Sequence, residues 1–183
     1  MSVSAAVPTG AEIESAVANL ERSRDALLDR CAGIAHAAWS AAPAGGGWSP
    51  EQVLEHLVIV ERRSLGLLEK MLTEPAEPDW AERSAPQEAV LPATAVPSVK
   101  VAAPAPLLPQ GGRSREDLVS DFQAARGALI AFARRPGQAL KEHTRNHPVV
   151  GCVNGLQWLH LAAFHTDRHR AQIENAQSAA AGA

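Results

Sequence analysis

The 183-residue chain has no tyrosine, three phenylalanines, four tryptophans and only two cysteines, Cys31 and Cys152. Two cysteines without a C-x-x-C pair support neither a disulfide framework nor a cysteine zinc knuckle. Any bound metal must therefore be held by histidine or carboxylate. An excess of positive charge is also missing, since 17 Lys and Arg stand against 20 Asp and Glu. Nucleic acid is not an expected partner, because binding it requires a clustered basic face.

Long apolar runs are missing as well. No segment approaches the roughly 18 to 20 uncharged apolar residues that cross a bilayer. The first ten residues lack the positive start and apolar core of a signal peptide. We therefore expect one soluble, cytoplasmic domain that does not bind a membrane.

The pattern that is present is helical, because apolar residues recur at spacings of three and four with charges between them. It predicts four helices, over residues 12–42, 50–73, 115–135 and 154–176. The start of the second helix is well marked: Ser49 suits the cap, Pro50 the first turn and Gln52 the capping box, while Trp48 can pack onto Val53. Four helices without a convincing strand predict an all-α four-helix bundle over residues 12–177.

The segment 74–113 interrupts this pattern, since it contains eight of the 13 prolines. Proline removes the backbone donors that helices and sheets need, so the segment is predicted to be a long irregular crossover between the second and third helices. A loop of this length either lies over a functional site or is partly disordered. Residues 1–11 and 178–183 are predicted to be flexible ends.

Three of the seven histidines are predicted to face the interior of the bundle. His165 and His169 lie four residues apart, which places them on one helix face, one turn from each other. His56 lies on the apolar face of the second helix. Three neutral imidazoles from two helices would bind Zn(II) or Ni(II) and leave a position for water or substrate. Such an ion lowers the pKa of a bound water or holds a thiol as its thiolate.

Each of these residues also has a plainer interpretation. A histidine pair at this spacing is often only packed and hydrogen bonded. Glu61 is either a partner of a ligand imidazole or an ordinary solvated carboxylate. Gln172 either hydrogen-bonds a ligand imidazole or packs at the helix end. The histidines expected at the surface or at caps are His36, His143 and His147.

The sequence resembles the DinB-like superfamily of metal-binding four-helix bundles. The resemblance is carried by W-S-x-x-x-x-x-E-H-L from Trp48 to Leu57, by H-P-V-V-G from His147 to Gly151, and by H-x-x-R-H-x-x-Q from His165 to Gln172. It implies an up-up-down-down bundle, often a homodimer, with nickel or zinc on a histidine triad. In this sequence the triad falls on His56, His165 and His169.

The family also implies a function. Its members include S-transferases and isomerases that use low-molecular-weight thiols such as bacillithiol or mycothiol. We therefore expect a metal-dependent enzyme in which the ion activates water or such a thiol for hydrolysis or transfer on a small-molecule substrate. The alternative is a non-catalytic bundle that binds a small ligand, or that dimerises as part of a stress response.

Overall fold

The computed structural model describes residues 6–96 and 102–181, with side chains to residue 175. Within these ranges the α-helices are α1 (Gly10–Ala32), α2 (His36–Trp39), α3 (Pro50–Met71), α4 (Trp80–Ser84), α5 (Arg115–Ala133) and α6 (Gly155–Ala181). Short 3-10 helices occupy Ala85–Gln87, Leu91–Ala95 and Ala105–Leu107, and β1 (Thr144–His147) pairs antiparallel with β2 (Gly151–Asn154). The four long helices α1, α3, α5 and α6 pack together, so the predicted four-helix bundle is confirmed.

The predicted helix starts depend on side-chain caps that the structure contains. At α3 the Ser49 hydroxyl accepts a hydrogen bond from the Gln52 N–H at 3.2 Å, and the Gln52 amide oxygen accepts one from the Ser49 N–H at 3.1 Å. At α5 the Ser114 hydroxyl accepts a hydrogen bond from the Asp117 N–H at 3.1 Å. These bonds satisfy N–H groups that the first helical turn leaves without partners.

Several predicted boundaries differ from the observed ones. The first helix was expected to reach residue 42, but α1 ends at Ala32 with Gly33 as its cap, and α2 follows as a separate turn. The break falls at a glycine, a poor helix former. The crossover contains α4 and the 3-10 helices, and the connector before α6 forms a hairpin. Helix α6 continues to Ala181, beyond the expected end near 176. Of the ends predicted to be flexible, residues 1–5 and 182–183 lie outside the described residues.

Two apolar clusters show the directions of the four helices. The first joins the early parts of α1 and α6 to the last turns of α3 and α5, and includes Val17, Leu20, Leu68, Met71, Leu129, Phe132, Leu159 and Ala163. The second joins the opposite ends of the same helices, and includes Leu27, Cys31, Val53, Leu57, Leu118, Phe122 and Ile173. Helices α1 and α6 are therefore parallel to each other and antiparallel to α3 and α5.

The order of directions is thus up, down, down, up, which corrects the expected up, up, down, down. The reason lies in the connections. Residues 33–49 and 134–154 each join helix ends that lie at the same end of the bundle. The end of α3 and the start of α5, which residues 72–114 connect, lie at opposite ends. An up-up-down-down bundle needs two such long connections, whereas this chain has one.

The crossover is packed against the bundle over much of its described length. Near its start the Glu77 N–H donates to the Glu142 carbonyl at 2.9 Å. In its middle Leu91 is buried against Val153 and Leu161 in a third apolar cluster. Near its end Leu107 lies over α3, where its carbonyl contacts a histidine. In the described part of the chain, no helix combines the length and apolar character that crossing a membrane requires.

Candidate metal centre

The antiparallel packing of α3 and α6 brings together His56, His165 and His169. One ring nitrogen from each lies within 4.8 Å of the others. The His165 and His169 Nε2 atoms are 3.1 Å apart, and the His56 ring centroid lies 5.3 Å and 4.8 Å from those of His165 and His169. The structure therefore unites the three residues that helical spacing placed on inward faces.

Two of the three imidazoles are held by an acceptor at Nδ1. The His56 Nδ1–H donates to the Leu107 carbonyl at 2.8 Å, and the His169 Nδ1–H donates to the Gln172 amide oxygen at 2.9 Å. A carbonyl oxygen only accepts, so each ring carries its proton on Nδ1 and presents the Nε2 lone pair. Ligand histidines in metal proteins are commonly oriented by such partners.

Burial keeps the three rings neutral. His56 and His169 are 3% and 8% exposed, and His165 is half-buried. Burial lowers the pKa of His56, against the opposing effect of the Leu107 carbonyl. Burial also lowers the pKa of His169 to about 3, and burial together with the neighbouring histidines lowers that of His165 well below its ordinary value. Neutral imidazole is the form that binds a metal ion.

Trp48 forms one wall of the cluster. Its ring centroid lies 4.7 Å from that of His56 and 6.2 Å from that of His169. Gly46 and Gly47, with φ of 77° and 121°, turn the chain just before it. These left-handed conformations favour glycine and lead the chain into the start of α3 beside the indole. The tryptophan that the sequence indicated as a helix staple thus also borders the histidines.

The donor set suits a divalent ion. Bonds of about 2.1 Å in tetrahedral geometry hold ligand nitrogens about 3.4 Å apart, close to the 3.1 Å between His165 and His169. The widest separation between ligand nitrogens in the triad, at most 4.8 Å, must shrink by up to about 1.4 Å to reach the same value. The protein does not satisfy the cluster by itself, because the buried His165 Nδ1 has no hydrogen-bond partner among the described residues. Converging lone pairs of neutral imidazoles are what zinc or nickel binds.

Glu61 has neither of the two roles expected for it. It is fully buried, and both of its oxygens accept from Arg126, from Nε at 2.8 Å and from Nη2 at 2.7 Å. It is therefore not a solvated carboxylate, and it is bonded to an arginine rather than to a ligand imidazole. The remaining Arg126 bonds go to the Leu20 carbonyl, the Ser23 hydroxyl, the Ala162 carbonyl and the Thr166 hydroxyl.

The remaining histidines lie outside the triad. His36 is exposed, as expected, whereas His143 is only 7% exposed and His147 packs its ring against Trp158, so neither is a free surface residue. His160 approaches Asn19, with Nδ1 and Nδ2 3.1 Å apart. The Leu107 carbonyl was not foreseen from the sequence, because a backbone acceptor in an irregular segment leaves no residue signature.

The fold and the site together define a four-helix bundle with a candidate three-histidine metal centre. The chain belongs to the DinB superfamily, whose family model matches residues 19–173. No curated protein matches it.

The chain is similar to several solved structures, including two four-helix bundle proteins. The four-helix bundle protein TT2238 shares 24% identity over 89% of this chain and 98% of its own, with a TM-score of 0.58. YfiT from Bacillus subtilis shares 18% identity over 94% of this chain and 89% of its own, with a TM-score of 0.62. YfiT is described as a probable metal-dependent hydrolase with an unusual four-helix bundle topology. At these identities the likeness concerns the fold.

Proposed function

We propose that the protein is a metal-dependent enzyme in which His56, His165 and His169 hold one divalent ion, nickel or zinc. The observation that supports this proposal is the convergence of three neutral imidazoles, two of which have Nδ1 hydrogen-bonded to an acceptor and Nε2 turned toward the other rings. Three protein ligands leave at least one further position, as is usual in catalytic rather than structural zinc sites.

Such an ion supplies Lewis acidity, which lowers the pKa of a water or thiol bound to it. The protein's own groups prepare the place where this happens. The Leu107 carbonyl and the Gln172 amide orient two of the rings, while the Trp48 indole packs against His56. We therefore propose hydrolysis of a small electrophilic substrate, or transfer of a low-molecular-weight thiol to it. The description of YfiT favours hydrolysis. The homodimer and the cytoplasmic location stay predictions.

Metal content tests this proposal directly. Tag-free protein purified without chelator should contain close to one nickel or zinc per chain by mass spectrometry, and the double variant His165→Ala, His169→Ala should contain none. His36→Ala is the matched control, because His36 is exposed and lies on α2, outside the triad. It should keep the metal.

A metal-loaded wild type would justify screening thiol transfer and ester or amide hydrolysis, with the double variant as the blank. If the wild type and the double variant are both free of metal, and stay so after incubation with Ni(II) and Zn(II), the proposal is wrong. The triad would then belong to a non-catalytic bundle.

A further inference from the structure

Side chains at the start of α3 bind one short segment of the crossover, residues 107–113. Glu55 Oε2 accepts hydrogen bonds from the N–H groups of Gln110 at 2.9 Å and Gly111 at 2.7 Å. Glu51 Oε1 accepts one from the Arg113 N–H at 2.6 Å. The next residue after Glu55 is His56, whose Nδ1–H donates to the Leu107 carbonyl. One helix face therefore anchors this segment through four hydrogen bonds.

The two carboxylates are well suited to hold a backbone in place. Glu51 is 5% exposed and Glu55 is 9% exposed, so both work in surroundings with little competing water. Hydrogen bonds from N–H groups to a carboxylate are roughly twice as strong as those between neutral groups. Between the Gly111 N–H, which Glu55 binds, and the Arg113 N–H, which Glu51 binds, Gly111 and Gly112 have φ of 77° and 82°. These left-handed conformations favour glycine and turn the chain between the two carboxylates.

The anchored segment also determines what His56 can do. On α6, His169 finds its Nδ1 acceptor in Gln172, a side chain of the same helix one turn away. His56 has no such acceptor on α3, and its Nδ1–H reaches instead to the Leu107 carbonyl, which belongs to the crossover. Leu107 lies only three residues before Gln110, whose N–H is the first that Glu55 binds. The acceptor of His56 and the N–H groups bound by Glu55 therefore belong to one short stretch of backbone.

We propose that Glu55, supported by Glu51, is a positioning residue for His56: it holds residues 107–113 so that the Leu107 carbonyl keeps the His56 proton on Nδ1 and its Nε2 toward the other two histidines. The inference rests on the proposed metal function only for its consequence, metal affinity. The orientation of the imidazole is a property of the protein without metal, so the two can be tested apart.

The first experiment reads the tautomer of His56 in metal-free protein, by long-range ¹H–¹⁵N NMR of ¹⁵N-labelled histidine. Wild type should show His56 with its proton on Nδ1. In Glu55→Ala the segment is released, and the proton should redistribute between Nδ1 and Nε2. Glu55→Gln should retain the wild-type tautomer, because its amide oxygen can accept from the same two N–H groups.

Glu77→Ala is the matched control for a general loosening of the crossover. Glu77 is a crossover carboxylate that accepts from Thr144 and Arg83, near the opposite end of the segment from His56. It should leave the His56 tautomer unchanged. If Glu55→Ala does not fold, Glu55→Asp replaces it, since shortening the side chain by one methylene withdraws the carboxylate from the two donors.

The second experiment measures zinc affinity by competition with a chromophoric chelator. Loss of an outer partner of a ligand histidine costs about 10-fold to 100-fold in metal affinity. Glu55→Ala should therefore bind zinc at least about tenfold more weakly than wild type. Glu55→Gln and Glu77→Ala should bind with nearly wild-type affinity.

The proposal is overturned if His56 keeps its proton on Nδ1 in a folded Glu55→Ala or Glu55→Asp variant, or if Glu77→Ala shifts the tautomer as much as Glu55→Ala does. If wild type binds no zinc, the metal function fails, and the tautomer measurement alone then decides whether Glu55 positions His56.

Discussion

The Arg126–Glu61 pair and the histidine triad are both buried in the bundle, and they differ in how completely the protein satisfies their polar atoms. Around Arg126 and Glu61, both fully buried, each of the three guanidinium nitrogens and both carboxylate oxygens have a protein partner. Around the histidine triad, lone pairs converge and the His165 Nδ1 has no hydrogen-bond partner among the described residues.

The contrast separates two uses of buried polarity. A charged pair whose every group is bonded holds four helices in register, because the pair draws partners from α1, α3 and α6 to an arginine on α5. It needs nothing from outside the protein. A cluster of neutral imidazoles whose nitrogen atoms are not all hydrogen bonded to the protein is suited to binding a ligand. Imidazole nitrogen is a ligand that borderline metal ions such as zinc and nickel prefer. The predictions below test this division.

The largest effect is expected from breaking the complete centre. Arg126→Met leaves the Glu61 carboxylate buried without its partner and should lower the free energy of unfolding by about 3 to 5 kcal/mol. Chemical denaturation measures the loss. The double variant Glu61→Leu, Arg126→Met should recover most of it, since replacing both members of a buried pair by apolar groups is often neutral.

An exposed ion pair is the control for that variant. Arg135 and Glu69 contact at 3.3 Å with side chains that are 56% and 46% exposed, and Arg135→Ala should cost at most about 1 kcal/mol. If Arg126→Met also lowers the free energy of unfolding by no more than about 1 kcal/mol, the buried pair does not stabilise the bundle.

The contribution of the histidine triad to the free energy of unfolding should depend on pH. Because burial lowers the pKa of His165 and His169 in the folded protein, both stay neutral when the unfolded chain becomes protonated below about pH 6.5. Unfolding then takes up protons, so the free energy of unfolding of the metal-free protein should decrease as the pH falls from 7 toward 5. In the double variant His165→Leu, His169→Leu, unfolding should take up about two fewer protons. The free energy of unfolding should therefore decrease less steeply as the pH falls.

Denaturation of wild type and the Leu double variant at several pH values measures this difference, and each proton changes the free energy of unfolding by about 1.4 kcal/mol per pH unit. His36→Leu is the control, because it removes an exposed histidine and should keep the wild-type slope. Equal slopes in wild type and the Leu double variant would show that the two histidines are not held neutral.

The smallest effect is expected at the edge of the incomplete centre. Gln172→Leu removes the acceptor of the His169 Nδ1–H without changing a ligand, and should weaken zinc binding about tenfold. Gln172→Glu keeps an acceptor and should bind zinc at least as well as wild type. Competition titration separates the two variants. Equal affinity in Gln172→Leu and wild type would assign Gln172 to helix packing alone.

Much of the bundle was predictable because its signals are local. The cap at Ser49, the periodicity of the four long helices and the spacing of His165 and His169 each depend on residues a few positions apart, and the structure contains all three. The pairing of His56 with the other two histidines was also reached, since each histidine lies on the apolar face of its helix and apolar faces meet in a bundle.

Apart from the ends of the first and last helices, the errors concern features that depend on residues far apart in the chain. The directions of the helices follow from where one long connection runs, and periodicity carries no information about direction. The partner of Glu61 is Arg126, 65 positions later, which no local pattern links to it. Glu55 was visible as part of a motif, but the N–H groups that it binds lie 55 and 56 positions away.

Short-range physics therefore accounts for the helices, their caps and the identity of the candidate metal ligands, because hydrogen bonds within a turn and the burial of one apolar face depend on nearby residues. The tertiary structure decided the course of the crossover, the completion of the Arg126 centre and the acceptor for His56. Each of these depends on a close approach between distant segments, and it is the packing of the whole chain that brings a particular backbone carbonyl or guanidinium within 3 Å of its partner.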